Sequence, residues 1–186
     1  MKFVLWSNAW STWDYCASVV WSWFQNDIWE DALPVALIQP NAQTIFAFDS
    51  AQMPLPTIQE DLEEGSSIDL INHNAEQDSI SSRSDYVIDS IVDNHALELH
   101  LKYPCEIRTA AVGSTCTLIA ETFIDKVYIP EMPYLVVLLS WIIADTQNFT
   151  SDTTTERDEE AFHRLKELIN SEDMETFIID LLEKKA

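Results

Sequence analysis

The chain has 186 residues, 47% of them apolar, enough for one good-sized domain with its own core and no need of disulfide staples. Its 10 Lys and Arg stand against 32 Asp and Glu, a net charge of −22, which excludes nucleic-acid binding through an extended basic face. The three cysteines, Cys16, Cys105 and Cys116, cannot all pair with one another and form no Cys/His cluster, so reduced thiols and a cytoplasmic location are expected.

The opening run Met1–Trp6 is broken by Ser7-Asn8 and then Asp14, with no cleavage site of a signal peptide behind it. Phe3 to Trp6 is read as a first buried strand and Asp14 to Phe24 as a helix. Val35 to Ile38 reads as a second strand, closed by Gln39-Pro40. From Met53 to Ser67 two prolines, a glycine and the acidic run Glu60 to Glu64 predict a loop or short surface helix. Ile68–Ile71 and Tyr86–Val92 are short β-branched runs, each ending in a polar cluster, Asn72-His73-Asn74 and Asp93-Asn94-His95.

Helical spacing returns from Ser114 to Ile124, after Gly113. Pro133 opens an apolar helix to about Asp145, too short to span a bilayer and read as buried. Thr155 with Asp158 three residues on is a capping signature, and Phe162, Leu165 and Ile169 line one face of the helix behind it. A last helix begins at Ser171, with the stripe Met174, Phe177, Ile178, Leu181 and Leu182. Six tryptophans, Trp6, Trp10, Trp13, Trp21, Trp23 and Trp29, read as core and interface.

Strands that end in polar residues and alternate with helices predict an α/β fold, a doubly wound and mostly parallel sheet with helices on both faces and a C-terminal helical pair. The expected division is an α/β domain over 1–150 and a helical extension packed on it over 151–186. Ligands of such sheets gather at the carboxyl ends of the strands, where both polar clusters fall.

The stretch Gly113-Ser114-Thr115-Cys116-Thr117-Leu118-Ile119-Ala120-Glu121 resembles the glycine-serine turn and helix of exopolyphosphatase-like DHH phosphoesterases. Ile142–Phe149 resembles that family's fourth motif, with an aspartate ending an apolar helix, and Thr153–Asp158 the stretch that follows. Ile91-Val92-Asp93-Asn94-His95 then falls at the Asp-His-His triplet, Leu70-Ile71-Asn72-His73-Asn74 at the second motif, and Ser7-Asn8 to Asp14 at the first. The ordered matches resemble the exopolyphosphatase and prune branch and cover roughly residues 3 to 160.

The resemblance implies two manganese or magnesium ions that share a bridging carboxylate and activate water for attack on phosphorus. It also implies changes in the ligand set here. Asp14 and Asp145 match metal ligands, but Thr12 replaces an aspartate, Asn72 the bridging aspartate and Asn94 a histidine. Asp93 and His95 are retained as catalytic candidates, Asn8 and His95 as substrate contacts, and Asn41 lies where a phosphate-handling basic residue is expected.

An asparagine offers one neutral oxygen where aspartate offers two charged ones, so at most one Mn2+ or Mg2+ is expected, held weakly by Asp14, Asn72, Asn94 and Asp145. His73 is expected to be an ordinary hydrogen-bonded loop histidine. Two functions remain open on this reading. One is a domain with an eroded metal site, weakly active or inactive, that acts by binding or scaffolding. The other is a single-ion hydrolase of phosphoanhydride or phosphoester bonds. The expected partners are a phosphate-containing small substrate or a protein, with no nucleic acid and no membrane.

Overall fold

A computed structural model describes residues 2–6, 15–28, 31–59, 61–169 and 174–184. Six strands pair in parallel in the order β3-β2-β1-β4-β5-β6: β1 Lys2–Trp6, β2 Ala32–Ala36, β3 Thr57–Ile58, β4 Ser67–Ile71, β5 Val87–Asp93 and β6 Glu106–Thr109. The α-helices are α1 Tyr15–Ile28, α2 Ala42–Ser50, α3 Thr115–Asp125, α4 Met132–Thr146, α5 Glu156–Lys166 and α6 Met174–Glu183. The α/β class and parallel sheet are as the sequence predicts.

The pleat divides the strand residues between two cores. Val4, Trp6, Ile71 and Val92 face the larger core, which the α-helices build. Phe3, Leu5, Ile68, Leu70 and Ile91 face a smaller one, closed by Leu62, Ile80 and the partly buried Leu99 and Leu101. Helices thus flank both faces unequally. Around the smaller core the crossovers carry, among the described residues, two 3₁₀ turns, Glu76–Asp78 and Arg83–Asp85. The buried-helix reading of α4 holds: apolar almost all round, it packs against α1, α2, α3, α5 and α6. The C-terminal helices dock separately, α5 on α3 and α4, and α6 on α2 and α4. No helix of the described residues is long and apolar enough to cross a membrane.

Several elements differ from expectation. The second strand starts at Ala32 rather than Val35, because its ladder with β1 begins at Lys2↔Ala32. Pro34 is tolerated there because β3 pairs only Val35 and Ala36, leaving β2 a sheet edge at that level. The segment 53–67 contributes the short strand β3. Helix α2 was not foreseen: Asn41, expected to stand in for a phosphate-handling base, is its N-cap and accepts the Thr44 N–H at 2.7 Å. The start of the last helix at Ser171 lies outside the described residues, as do Trp10, Trp13 and Trp29. Trp6 and Trp21 are core, and Trp23 stacks on Tyr134. Cys16, Cys105 and Cys116 form no disulfide among the described residues.

The capping signature does more than start α5. The fully buried Asp158 carboxylate accepts from the Thr155 N–H at 2.8 Å, the Gly113 N–H at 2.8 Å and the Thr117 hydroxyl at 2.6 Å. The Ser114 N–H lies 3.3 Å from it. One side chain therefore ties the start of α5 to the start of α3. Gly113 is part of the same joint, since a Cβ there would meet Thr146 Cγ2 at 2.9 Å and Asp158 Oδ2 at 3.1 Å. Asp158→Ala strands several buried donors and is expected to cost on the order of 3 kcal/mol or more in urea unfolding. Gly113→Ala should cost about 1–3 kcal/mol by crowding.

Candidate functional site

The strand order reverses direction between β1 and β4, which makes the carboxyl ends of these strands the natural cleft of the sheet. Residues 7–14, which follow β1, lie outside the described residues, and with them the predicted Asn8, Thr12 and Asp14. Asn72 follows β4 in the left-handed region, φ 58°, which asparagine enters more readily than most residues. Its N–H donates to the Val92 carbonyl at 2.8 Å, so the turn is fastened to β5.

Helix α3 points its first turn at these strand ends. The Thr115 hydroxyl lies within hydrogen-bond distance of both Asn72 Oδ1 and Asn94 Oδ1, 2.9 Å from the latter. The Asn94 amide donates to the Val112 carbonyl at 2.9 Å, which turns its Oδ1 toward Thr115. Next to Thr115, the N-cap Ser114 donates its hydroxyl to Asp145 Oδ2 at 2.6 Å. Asp145 comes from the last turn of α4.

Asp93 ends β5 and is fully buried. One carboxylate oxygen accepts from the His95 ring Nδ1 at 2.7 Å and from the His95 N–H at 3.1 Å, and the other from the Asn74 amide at 2.6 Å. Burial raises the Asp93 pKa, but the His95 and Asn74 hydrogen bonds outweigh it and hold the carboxyl below its ordinary value. The bond to Asp93 in turn raises the His95 pKa against the effect of burial, and the charges of Asp93 and Asp145 add to it. Only Nδ1 of the ring is engaged by Asp93, and the side chain is 61% exposed, so Nε2 is available to a ligand.

His73 is the hydrogen-bonded loop histidine expected from the sequence. It is buried, with Nδ1 2.9 Å from the Ile71 carbonyl and Nε2 3.1 Å from Ser79 Oγ. Burial pushes its pKa down to about 4, so it is neutral near pH 7.

Of the predicted residues, Asn72, Asp93, Asn94, His95 and Asp145 are thus brought together around the start of α3. Sequence reasoning assigned no role to Ser114, Thr115 or Asn74. The small hydroxylic pair between Gly113 and an apolar helix was the available signal for the first two.

Among the described residues no three His, Cys, Asp or Glu side chains gather as a metal site. The oxygens that do gather are Asn72 Oδ1, Asn94 Oδ1 and Thr115 Oγ1, with the Asp145 carboxylate behind Ser114. All are hard donors and one is charged. Oxygens of this kind are the donors that hard divalent cations take.

No protein-family model matches the chain. It is 29% identical over 172 residues to a protein of Oceanobacillus iheyensis named a probable manganese-dependent inorganic pyrophosphatase, covering 92% of this chain and 56% of that one. A protein of the same name from Lactobacillus acidophilus is 31% identical over 154 residues, 81% of this chain and 49% of its own. Among solved structures, a Methanococcus jannaschii protein assigned to the family II inorganic pyrophosphatases superposes with a TM-score of 0.88 at 27% identity, over 100% of this chain and 62% of that chain. The chain spans about half the length of the curated relatives it matches. These similarities agree with the DHH-type resemblance.

In a metal-chelating buffer, the His95 ring followed by NMR is expected to titrate above the ordinary value of about 6.5. Asp93→Asn should bring it back toward that value. The stabilisation from His95 is present below about pH 6.5 and lost as pH rises through the raised value. That from Asp93 is present above about pH 4 and lost as pH falls through the lowered one. The pair therefore supports the fold most between these limits.

Proposed function

We propose that this chain is the metal-binding part of a manganese- or magnesium-dependent phosphohydrolase acting on phosphoanhydride bonds, with inorganic pyrophosphate as the first substrate to test. The observation that carries the reading is the gathering of Asn72, Asn94, the Asp93–His95 pair and Asp145 around the first turn of α3. The names of the relatives support both the metal and the substrate. The motifs that resemble exopolyphosphatase and prune proteins add tripolyphosphate and polyphosphate as the next substrates.

In this reading Asp145 is the charged ligand, and Asn72 and Asn94 lend neutral oxygens. Asp14, by the resemblance, supplies a second carboxylate, and Asn8 a substrate contact. A bound cation would lower the pKa of a coordinated water and offset phosphate charge. Asp93 fixes the His95 ring by Nδ1 and favours its protonated form, in which Nε2 presents a proton toward a phosphate oxygen. That proton serves either to neutralise the bound phosphate or to pass to the departing one.

A second reading rests on the same amides. Asn72 and Asn94 carry no charge, and a site this weakly anionic is also what a binding or scaffold domain descended from a hydrolase would keep.

Phosphate release from pyrophosphate in millimolar manganese separates the two. The hydrolase reading expects steady release that falls by about 100-fold or more in Asp145→Ala. No release above the protein-free rate leaves the scaffold reading. Restoring the resembled ligands together, by Thr12→Asp, Asn72→Asp and Asn94→His, should tighten manganese binding by about tenfold or more. Unchanged binding in a folded triple variant would contradict the placement of the site.

A further inference from the structure

Arg83 is the odd cation of this molecule. It is 3% exposed, in a chain of net charge −22 that has no other Lys or Arg from position 3 to 101. No carboxylate lies within ion-pair distance of it among the described residues, and its one hydrogen bond there is from Nη1 to the Asn74 carbonyl at 2.6 Å. A guanidinium carries five N–H donors, so most of its capacity is uncommitted. Burying a cation this way is costly without an anion to meet it, and burial pulls its pKa down accordingly.

Arg83 lines a cavity of about 50 Å³ beside the smaller core, together with Lys102, His100, Tyr86 and Tyr103. Lys102 is held over this cavity by a bond from its ammonium to the Ser84 carbonyl at 2.8 Å. Glu76, also on the lining, is exposed and supplies the nearest opposing charge. None of these residues belongs to the site around α3.

We propose that this cavity is a second site for a small oxyanion, such as inorganic phosphate, bound by the Arg83 guanidinium and the Lys102 ammonium. Size limits the ligand. A water needs about 10–15 Å³ of such space, so there is room for one tetrahedral anion but not for a nucleotide. Chemistry sets its class, because the planar fork of arginine meets two oxygens of a phosphate at once.

The site is mechanically joined to the other one. Arg83 grips the carbonyl of Asn74, whose side-chain amide holds Asp93 and accepts the Glu98 N–H at 2.6 Å. Asp93 in turn orients His95. An anion that draws on Arg83 therefore acts on the Asn74 turn that positions the Asp93–His95 pair. This consequence for catalysis rests on the hydrolase reading; the anion site itself does not.

The test is a titration of the ¹⁵N-labelled 186-residue chain with inorganic phosphate in the presence of EDTA, read by NMR. The chelator removes metal-dependent binding at the other site. The expected result is saturable shifts of the Arg83 Nε–Hε signal and of the Ser84, Tyr86 and Lys102 amides, with a smaller shift of the Asn74 side-chain amide. Arg83→Met should weaken binding by at least about tenfold, Arg83→Lys by less, and His95→Ala should leave it unchanged. No saturable shift up to about 50 mM phosphate would overturn the proposal. So would shifts confined to His95 and Ser114, or shifts that survive in Arg83→Met. Should Arg83→Met fail to fold, the wild-type Nε–Hε signal and Arg83→Lys decide. Loss of pyrophosphatase activity would leave these readouts untouched.

Discussion

The buried carboxylate of Asp158 is the joint on which the site depends. It receives the N–H of Gly113, the hydroxyl of Thr117 and the N–H of Thr155, and so fixes where α3 begins. The two side chains that open that helix then do different work. Ser114 reaches to Asp145 at the end of α4, and Thr115 reaches to Asn72 and Asn94 at the ends of β4 and β5. Without a fixed start to α3, the strand-end amides and the Asp145 carboxylate would have no common reference. Gly113 belongs to this joint through its lack of a side chain, since the space a Cβ would need is taken by Thr146 and Asp158.

Electrostatics explains the character of the site. A chain of net charge −22 gains nothing from further crowding of carboxylates, which repel one another when no cation is bound. The Asn72 and Asn94 amides add no charge to it, and the Thr115 hydroxyl lies between them. The cost is affinity: neutral oxygens stabilise a divalent ion less than carboxylates do. Among the described residues of this region, the Asp145 carboxylate accepts the Ser114 hydroxyl and the Asp93 carboxylate accepts the His95 ring. In the proposed reading, the carboxyl ends of β4 and β5 separate the oxygens offered to a cation from the Asp93–His95 pair that holds a proton.

Much of this was legible in the sequence because the elements concerned carry strong local signals. Ile68–Ile71 and Tyr86–Val92 are β-branched-rich runs, the first buried throughout and the second from Ser90 on, that stop at polar residues, and such runs have few other readings. The apolar length of α4 made it a buried helix on inspection. The four residues of β6 gave no such signal, since Glu106, Ile107 and Thr109 are exposed on an outer strand. Helix α2 carries an ambiguous signal, because its N-cap Asn41 also falls where the resemblance calls for a phosphate-handling basic residue. Of the candidate site, the sequence points to Asn72, Asp93, Asn94, His95 and Asp145 but not to their linkage: nothing in the order of residues says that Thr115 stands between two asparagines 43 and 21 positions away. The burial of Arg83 was equally illegible, because arginine is ordinarily exposed.

The central claim is that these oxygens form one place for one hard cation. Equilibrium dialysis of the chain against manganese, with bound metal counted per chain and followed by electron paramagnetic resonance, tests it most directly. A single weakly held ion per chain, displaced by magnesium and lost in Asp145→Ala, is the predicted result. Two tightly bound ions with the spectrum of a coupled pair, or no bound manganese at all, would contradict it.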